Sequence, residues 1–147
     1  YSGPIIEFGT LFGITTKLMA SVATSSQKVV TVDNFCWNPF GLTPELHEIF
    51  SRKILRFELE SERVELIVSG SREFRASYDG TVPALVFLDA DHSYDAVKDE
   101  IKWAKSLGVP LIAGHDYRNA GFGVTRAVDE EFPDGVEFRG MVWWKEQ

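Results

Sequence analysis

The chain has 147 residues, 44% of them hydrophobic and 25% charged, with a formal net charge of −7. This is one domain's worth of chain with ordinary globular composition, long enough to bury a sizeable core. No Lys/Arg run offers a stripe to neutralise phosphates, which disfavours nucleic acid as a partner. No apolar run approaches the roughly 20 residues that span a bilayer, which disfavours a membrane. Cys36 is the single cysteine, so no intrachain disulfide is available and a reducing, cytoplasmic setting is the default expectation.

In chain order, Pro4–Gly9 reads as a short strand ending in a turn. Thr10–Ala23 follows as a helix with Leu11, Ile14, Leu18, Met19 and Val22 at helical spacing. Strand, glycine turn and helix is the layout that presents backbone N–H groups to an anionic or polar ligand. The glycines are Gly9 and Gly13, preceded by Glu7, and the second glycine of the Gly-x-Gly-x-x-Gly dinucleotide fingerprint is missing. A tight turn that needs positive φ also explains such a pair. Lys28–Asp33 is a second strand ending in an acid. At that place in a βαβ unit a carboxylate holds a ribose diol, although a turn or cap also uses an acid like Asp33 beside Asn34. The aromatic stretch 35–43 either walls a pocket or is a loop pinned by its own rings. Thr43, Pro44 and Glu45 have the order of N-cap, first helical residue and first-turn acid, for a helix to about Phe57. Leu46, Ile49, Phe50, Ile54 and Phe57 form its apolar face, which puts His47 on the exposed side.

Val64–Val68 reads as a third strand, followed by a Ser69–Ser71 turn and a short helix over Arg72–Ser77. Ala84–Leu88 then runs straight into Asp89, Asp91 and His92. A continuous apolar run of this kind reads as a strand buried on both faces. Its polar cluster falls at the strand's carboxyl end, where open α/β sheets bind ligands. Asp91 or Ser93 as a helix N-cap explains part of this cluster, but not two carboxylates and an imidazole within four positions. Ser93–Leu107 is the next helix, with Val97, Ile101, Trp103 and Ala104 inward. Asp95, Lys98, Asp99, Glu100, Lys102 and Lys105 form its expected solvated face, and Gly108 ends it. Val109–Gly114 is a fifth strand, ending in His115-Asp116-Tyr117. A helix over about Val124–Phe132 and two closing strands, Val136–Arg139 and Met141–Lys145, complete the pattern. The alternation predicts a doubly wound, Rossmann-like α/β sheet, mostly parallel, with a closing antiparallel hairpin.

The segment Glu7-Phe8-Gly9-Thr10-Leu11-Phe12-Gly13 resembles the first motif, Glu-x-Gly-x-x-x-Gly, of class I S-adenosylmethionine-dependent methyltransferases. Asp33 matches their ribose-binding acid. Phe87–Tyr94, Gly114–Tyr117 and Gly123–Val128 resemble one branch of that superfamily, which includes small-molecule and sugar O-methyltransferases and cephalosporin-hydroxylase-like proteins. The resemblance covers nearly the whole chain. It implies a sheet of about seven strands whose last strand runs antiparallel. Residues 1–147 are then a single domain without the helices that such enzymes commonly carry before the first strand. Homo-oligomerisation or a lid from a partner would be another way to complete the site.

The resemblance also implies S-adenosylmethionine as cofactor. Gly9 and Thr10 would approach its methionine part, with Glu7 and Gly13 shaping the loop. Asp33 would hold the ribose, the turn with Ser71 would lie near the adenine, and Asp89 would complete the cofactor site. Direct methyl transfer to a small-molecule or sugar hydroxyl follows, with His92 as general base beside Asp91. Metal-dependent relatives place Mg²⁺, or another divalent metal, on the counterparts of Asp89, His115 and Asp116. Imidazole at position 115 is a departure, because oxygen ligands suit Mg²⁺ and imidazole suits softer metals. A metal-free enzyme therefore stays open, as does a loop-positioning role for His115. The competing readings are a non-catalytic cofactor-binding domain of the same fold and a nicotinamide-dependent oxidoreductase. The incomplete glycine fingerprint counts against the oxidoreductase.

Overall fold

A computed structural model describes residues 1–37 and 39–147. Seven strands form one sheet in the order β3-β2-β1-β4-β5-β7-β6. They are β1 (Ile5–Phe8), β2 (Val29–Asp33), β3 (Val64–Val68), β4 (Leu85–Leu88), β5 (Leu111–Gly114), β6 (Glu137–Arg139) and β7 (Val142–Glu146). The first five pair in parallel, and β7 pairs antiparallel with both β5 and β6. The sequence-predicted doubly wound sheet is thus the observed one. The chain winds outward from β1 to β3, returns to β4 on the other side of β1, and so creates a strand-order switch between β1 and β4. A crevice opens at the carboxyl ends of strands at such a switch.

Two layers of helices cover the sheet. On one face lie α4 (Ser71–Ser77), α5 (Tyr94–Ser106) and α6 (Val124–Glu131). Their Phe74, Val97, Ile101, Ala104, Val124, Ala127 and Val128 pack with Ile6, Phe8, Val86, Leu88, Ile112 and Trp143 in the larger core cluster. On the other face lie α1 (Ile14–Val22), α2 (Pro44–Ile54) and α3 (Arg56–Glu60). Among the described residues that layer contributes buried Met19, Ala20 and Leu55, with Ala23 and Leu59 partly buried against them, to a smaller cluster with Phe35 and with Ile5, Val29, Val64 and Leu66 of the sheet.

The difference between layers overturns two expectations drawn from helical periodicity. His47 is buried, as is Ser51 one turn later, while Leu46, Ile49 and Phe50 face outward. On α1 the buried residues are Thr16, Met19 and Ala20, and Ile14, Leu18 and Val22 are exposed. Apolar periodicity found both helices, but in α2 the apolar stripe it marked faces outward, and in α1 only Met19 of the spaced apolar residues within the helix is buried. The predicted single helix to Phe57 is interrupted at Leu55, which caps α2, leads into α3 and packs beneath Gly13. Glu100, expected on the solvated face of α5, is fully buried instead. Burial pushes its carboxyl up to about 7. Strand β1 is buried along its whole length, whereas β4 alternates: Val86 and Leu88 are buried, Leu85 and Phe87 only partly so. The run read as buried on both faces has one face thinly covered.

Candidate active site

The loop after β1 is set by backbone conformations that few side chains accept. Gly9 has φ 95° and Gly13 φ 79°, and Leu11 between them also has positive φ, 47°. A methyl group on Gly9 would overlap the carbonyl of Asp89, so the β1 loop and the end of β4 meet backbone to backbone. Two polar side chains fix the Leu11 backbone, one at its N–H and one at its carbonyl. Asp33 Oδ2 accepts the N–H groups of Thr10 (2.8 Å) and Leu11 (2.9 Å). Ser51 Oγ, from the buried side of α2, donates to the Leu11 carbonyl at 2.5 Å. Asp33 Oδ1 accepts Phe35 N–H at 2.7 Å. A carboxylate offers about four acceptor positions, so capacity remains on Oδ1.

Glu7 lies beneath this loop, fully buried. Its Oε2 accepts the hydroxyls of Thr16 and Thr31, while Oε1 has no partner among the described residues. Burial pushes its carboxyl up to about 8, against the lowering effect of those two hydroxyls. The group is therefore neutral near pH 7, and Thr10 joins the network through a 2.6 Å contact with Thr31 Oγ1.

A cavity of about 860 Å³ opens above the loop, within the range of small-molecule sites. Gly9, Thr10, Asp33, Ser71, Asp89, Asp91, His92, His115 and Asp116, all singled out in the sequence, line it. Glu7 and Gly13 support it from below. Of the aromatic stretch, Cys36 and Trp37 line the cavity and Phe35 is buried, so this segment both walls a pocket and is pinned by a ring. Asn38 lies outside the described residues.

At one end of the cavity two strands bring four polar side chains together. His92 Nε2 is 3.4 Å from Asp89 Oδ1, in hydrogen-bond geometry, and closer still, 3.0 Å, to Asp116 Oδ2. His115 Nδ1 lies 3.3 Å from the same Asp116 oxygen and 3.8 Å from Asp89 Oδ1. The hydrogen bond to Asp89 raises the His92 pKa above its usual 6.5. Burial opposes this, and the charges of Asp116, Asp89 and Asp91 add to it. For Asp116, burial favours the neutral acid. The Asn119 amide, bonded at 2.8 Å, and the two imidazoles outweigh burial and hold the carboxyl below its usual range. Asp91 is turned to a local task, accepting Ser93 N–H at 2.8 Å, and Ser93 caps α5.

Asp89, His92 and Asp116 offer ligand atoms that all lie within 4.8 Å of one another. A donor set of two carboxylates and an imidazole fits a divalent cation of the borderline class better than Mg²⁺. His92, expected as a base, belongs to this group, and His115 stands at its edge. Phe122 stacks on His92, centroids 4.5 Å apart and planes inclined by 20°. Sequence reasoning passed over Phe122, Asn119 and Ser51. Only the Gly121-Phe122-Gly123 spacing hinted at a ring held on a sharp turn.

A strand-order switch, a glycine turn fixed by the acid ending β2, and a polar cluster at the ends of β4 and β5 define a Rossmann-like fold with a ligand crevice at its strand ends. A family described as a methyltransferase domain matches residues 6–117, and the chain belongs to it. It is a class I, S-adenosylmethionine-dependent methyltransferase domain. Several solved structures share the fold. The O-methyltransferase of Bacillus cereus, in complex with S-adenosylhomocysteine, superposes with a TM-score of 0.71 at 17% identity, over 98% of this chain and 74% of that one. TomG of Streptomyces achromogenes is an O-methyltransferase of tomaymycin synthesis, in complex with S-adenosylmethionine. It gives 0.70 at 16%, over 96% and 70%. CalS11, a TDP-rhamnose 3′-O-methyltransferase of calicheamicin biosynthesis, gives 0.64 at 17%, over 99% and 71%. No curated protein sequence matches the chain. Among the described residues no helix is long and apolar enough to cross a membrane.

Proposed function

We propose that the chain transfers the methyl group of S-adenosylmethionine to a hydroxyl of a small molecule or sugar. The observation that carries this reading is the His92 imidazole between Asp89 and Asp116, beside the loop that Asp33 and Ser51 hold. The resemblance to O-methyltransferases of known ligand state, TomG and the Bacillus cereus enzyme among them, supports it.

In this reading Gly9, Thr10, Asp33 and Ser71 bind the cofactor. Its sulfonium supplies an already activated methyl group, so the protein's work is alignment and proton removal. Asp33 keeps the loop in its binding shape and offers its remaining lone pair to a ribose hydroxyl. His92 takes the acceptor's hydroxyl proton as the new O–CH₃ bond forms and the S–CH₃ bond breaks. Asp89 and Asp116 orient the imidazole and stabilise the imidazolium that results. Phe122 shields one face of that ring from water. A divalent cation, where used, would be held by Asp89, His92 and Asp116, would lower the acceptor's pKa, and would stand in for His92 as the group that activates the hydroxyl. The setting is cytoplasmic, in keeping with the exposed free thiol of Cys36.

The test is transfer of labelled methyl from S-adenosylmethionine to a panel of phenolic and sugar hydroxyls, with and without Mg²⁺, Mn²⁺ and Zn²⁺. His92→Ala should lower turnover by roughly 10²–10⁴-fold and leave the affinity for S-adenosylhomocysteine nearly unchanged. Equal loss of turnover and affinity would contradict the base role.

A further inference from the structure

Glu100 is a buried carboxyl to which neither the site nor the proposed reaction gives a task. It is fully buried on α5, and among the described residues neither of its oxygens has a hydrogen-bond partner. A buried polar group left unpaired is costly and uncommon in folded proteins. A leucine would fill the same place between two helices without that cost. A carboxyl kept there calls for a use beyond packing.

Its surroundings point to that use. Glu100 lies in the seam between α4 and α5. Further along α5, away from the cavity, the seam is closed by rings: Phe74 and Tyr78 meet Trp103 with centroids 6.5 and 5.6 Å apart. The Arg75 guanidinium of α4 is near enough for its charge to act on Glu100, yet it gives its donors to the backbone. Nη1 donates to the Asp99 carbonyl at 3.0 Å and Nε to the Ser71 carbonyl at 3.3 Å. After burial, the strongest influence on Glu100 is the Ser71 hydroxyl, ahead of the charges of Arg75, Asp91 and His92. Ser71 is the first residue of α4 and lines the cavity. One side chain thus faces the ligand crevice and is acted on by the hidden carboxyl behind it.

A serine hydroxyl has one hydrogen to give and two lone pairs to offer. What it shows the cavity depends on what stands behind it. An ionised carboxyl takes the hydrogen and leaves a lone pair facing the ligand. A protonated carboxyl donates to Oγ and leaves the serine hydrogen free for the ligand. Burial, which pushes Glu100 up to about 7, makes the protonated form available at neutral pH. The ring nitrogens of a purine that carry no hydrogen can only accept, so they select that form. We propose, on the reading of the cavity as an S-adenosylmethionine site, that Glu100 is a positioning residue: it donates to Ser71 Oγ and so turns the Ser71 O–H to a ring nitrogen of the cofactor's purine.

Calorimetric titration of two probes, beside thermal unfolding of the same proteins, tests this without reference to methyl transfer. The probes are S-adenosylhomocysteine and 5′-deoxy-5′-methylthioadenosine, which keeps the adenosine and lacks the amino-acid part. Glu100→Leu should weaken both by the same factor, roughly fivefold to tenfold. Its melting temperature should hold or rise, because an apolar side chain replaces an unpaired buried carboxyl. Should that variant fail to fold, Glu100→Met, unbranched and as apolar, gives the same readout. Glu100→Gln keeps an N–H donor for Ser71 Oγ and should bind both probes as the wild type does. In a Ser71→Ala background the Leu substitution should cost no further affinity. Parallel loss of affinity and stability, full binding by Glu100→Leu, a loss confined to S-adenosylhomocysteine, or a further loss beside Ser71→Ala would overturn the proposal. A wild type that binds neither probe would remove the cofactor reading itself, whereas a wild type and a Glu100→Leu protein that bind both equally would remove the role of Glu100 alone.

Discussion

His92 Nε2 lies 3.0 Å from Asp116 Oδ2 and 3.4 Å from Asp89 Oδ1, so one imidazole is shared by carboxylates that end adjacent strands. Both negative neighbours favour the charged ring, and the hydrogen bond to Asp89 contributes most to raising its pKa above 6.5. A base must be neutral to accept a proton. Turnover should therefore rise with pH along a limb whose midpoint lies above 6.5, and fall away below it. Asp89→Asn removes the main raising influence and should move that midpoint to lower pH. A pH–rate profile of the two proteins checks this; an unmoved limb would mean that another group controls it.

Glu7 gives a pH dependence of stability with a definite sign. Its folded carboxyl titrates at about 8, above its ordinary 4.5, because burial penalises the charge. A raised carboxyl means that the fold holds the proton more tightly than the unfolded chain does. The stability this contributes is fully present below about pH 4.5, declines as pH rises, and is lost above about 8. Glu7→Gln keeps an acceptor for Thr16 and Thr31 and cannot ionise. Between pH 5 and 8.5 the wild type should lose on the order of 3 kcal/mol more stability than the variant, by urea unfolding at each pH. Parallel curves would show that the group is already ionised in the fold.

Ser51 links α2 to the loop after β1 across 40 residues of sequence, through its bond to the Leu11 carbonyl. Ser51→Ala leaves that carbonyl without its donor while the Asp33 contact remains. The expected effect is a loss of roughly fivefold in S-adenosylhomocysteine affinity, equivalent to about 1 kcal/mol of loop ordering. The melting temperature should change little, so calorimetric titration alongside thermal unfolding separates a loop effect from a general one.

Gly9→Ala is the sharper test of the loop. Its φ of 95° disfavours any side chain, and a Cβ would overlap the Asp89 backbone, which has no flexible end to yield. We expect cofactor binding to be lost and stability to fall by at least about 2 kcal/mol. Full binding by this variant would mean that the loop and β4 do not meet as described.

The sheet and the placing of the polar residues that line the cavity were largely readable because they depend on local patterns. An apolar run followed by Asp89, Asp91 and His92 places a polar cluster at a strand end whatever surrounds it. A glycine pair after an apolar strand marks the turn. The orientation of α1 and α2 was not readable, because periodicity gives the existence of a face and not what lies opposite it. In α2 the loop requires His47 and Ser51 inside, and this tertiary demand overrides the apolar stripe. Glu100 was missed for a related reason. A charged residue within an exposed-looking helix pattern carries no local sign that α4 will pack over it. Asp33 was read as a ribose ligand, and the three backbone N–H groups it accepts were invisible without the positive φ of Leu11.

The account rests on the cavity between the β1 loop and the β4–β5 cluster taking S-adenosylmethionine. Calorimetric titration of S-adenosylhomocysteine into the purified chain measures this directly. The account predicts one site with a dissociation constant in the micromolar range, lost in Gly9→Ala and retained in His92→Ala. Absence of binding at millimolar ligand, in a protein that unfolds cooperatively, would contradict it.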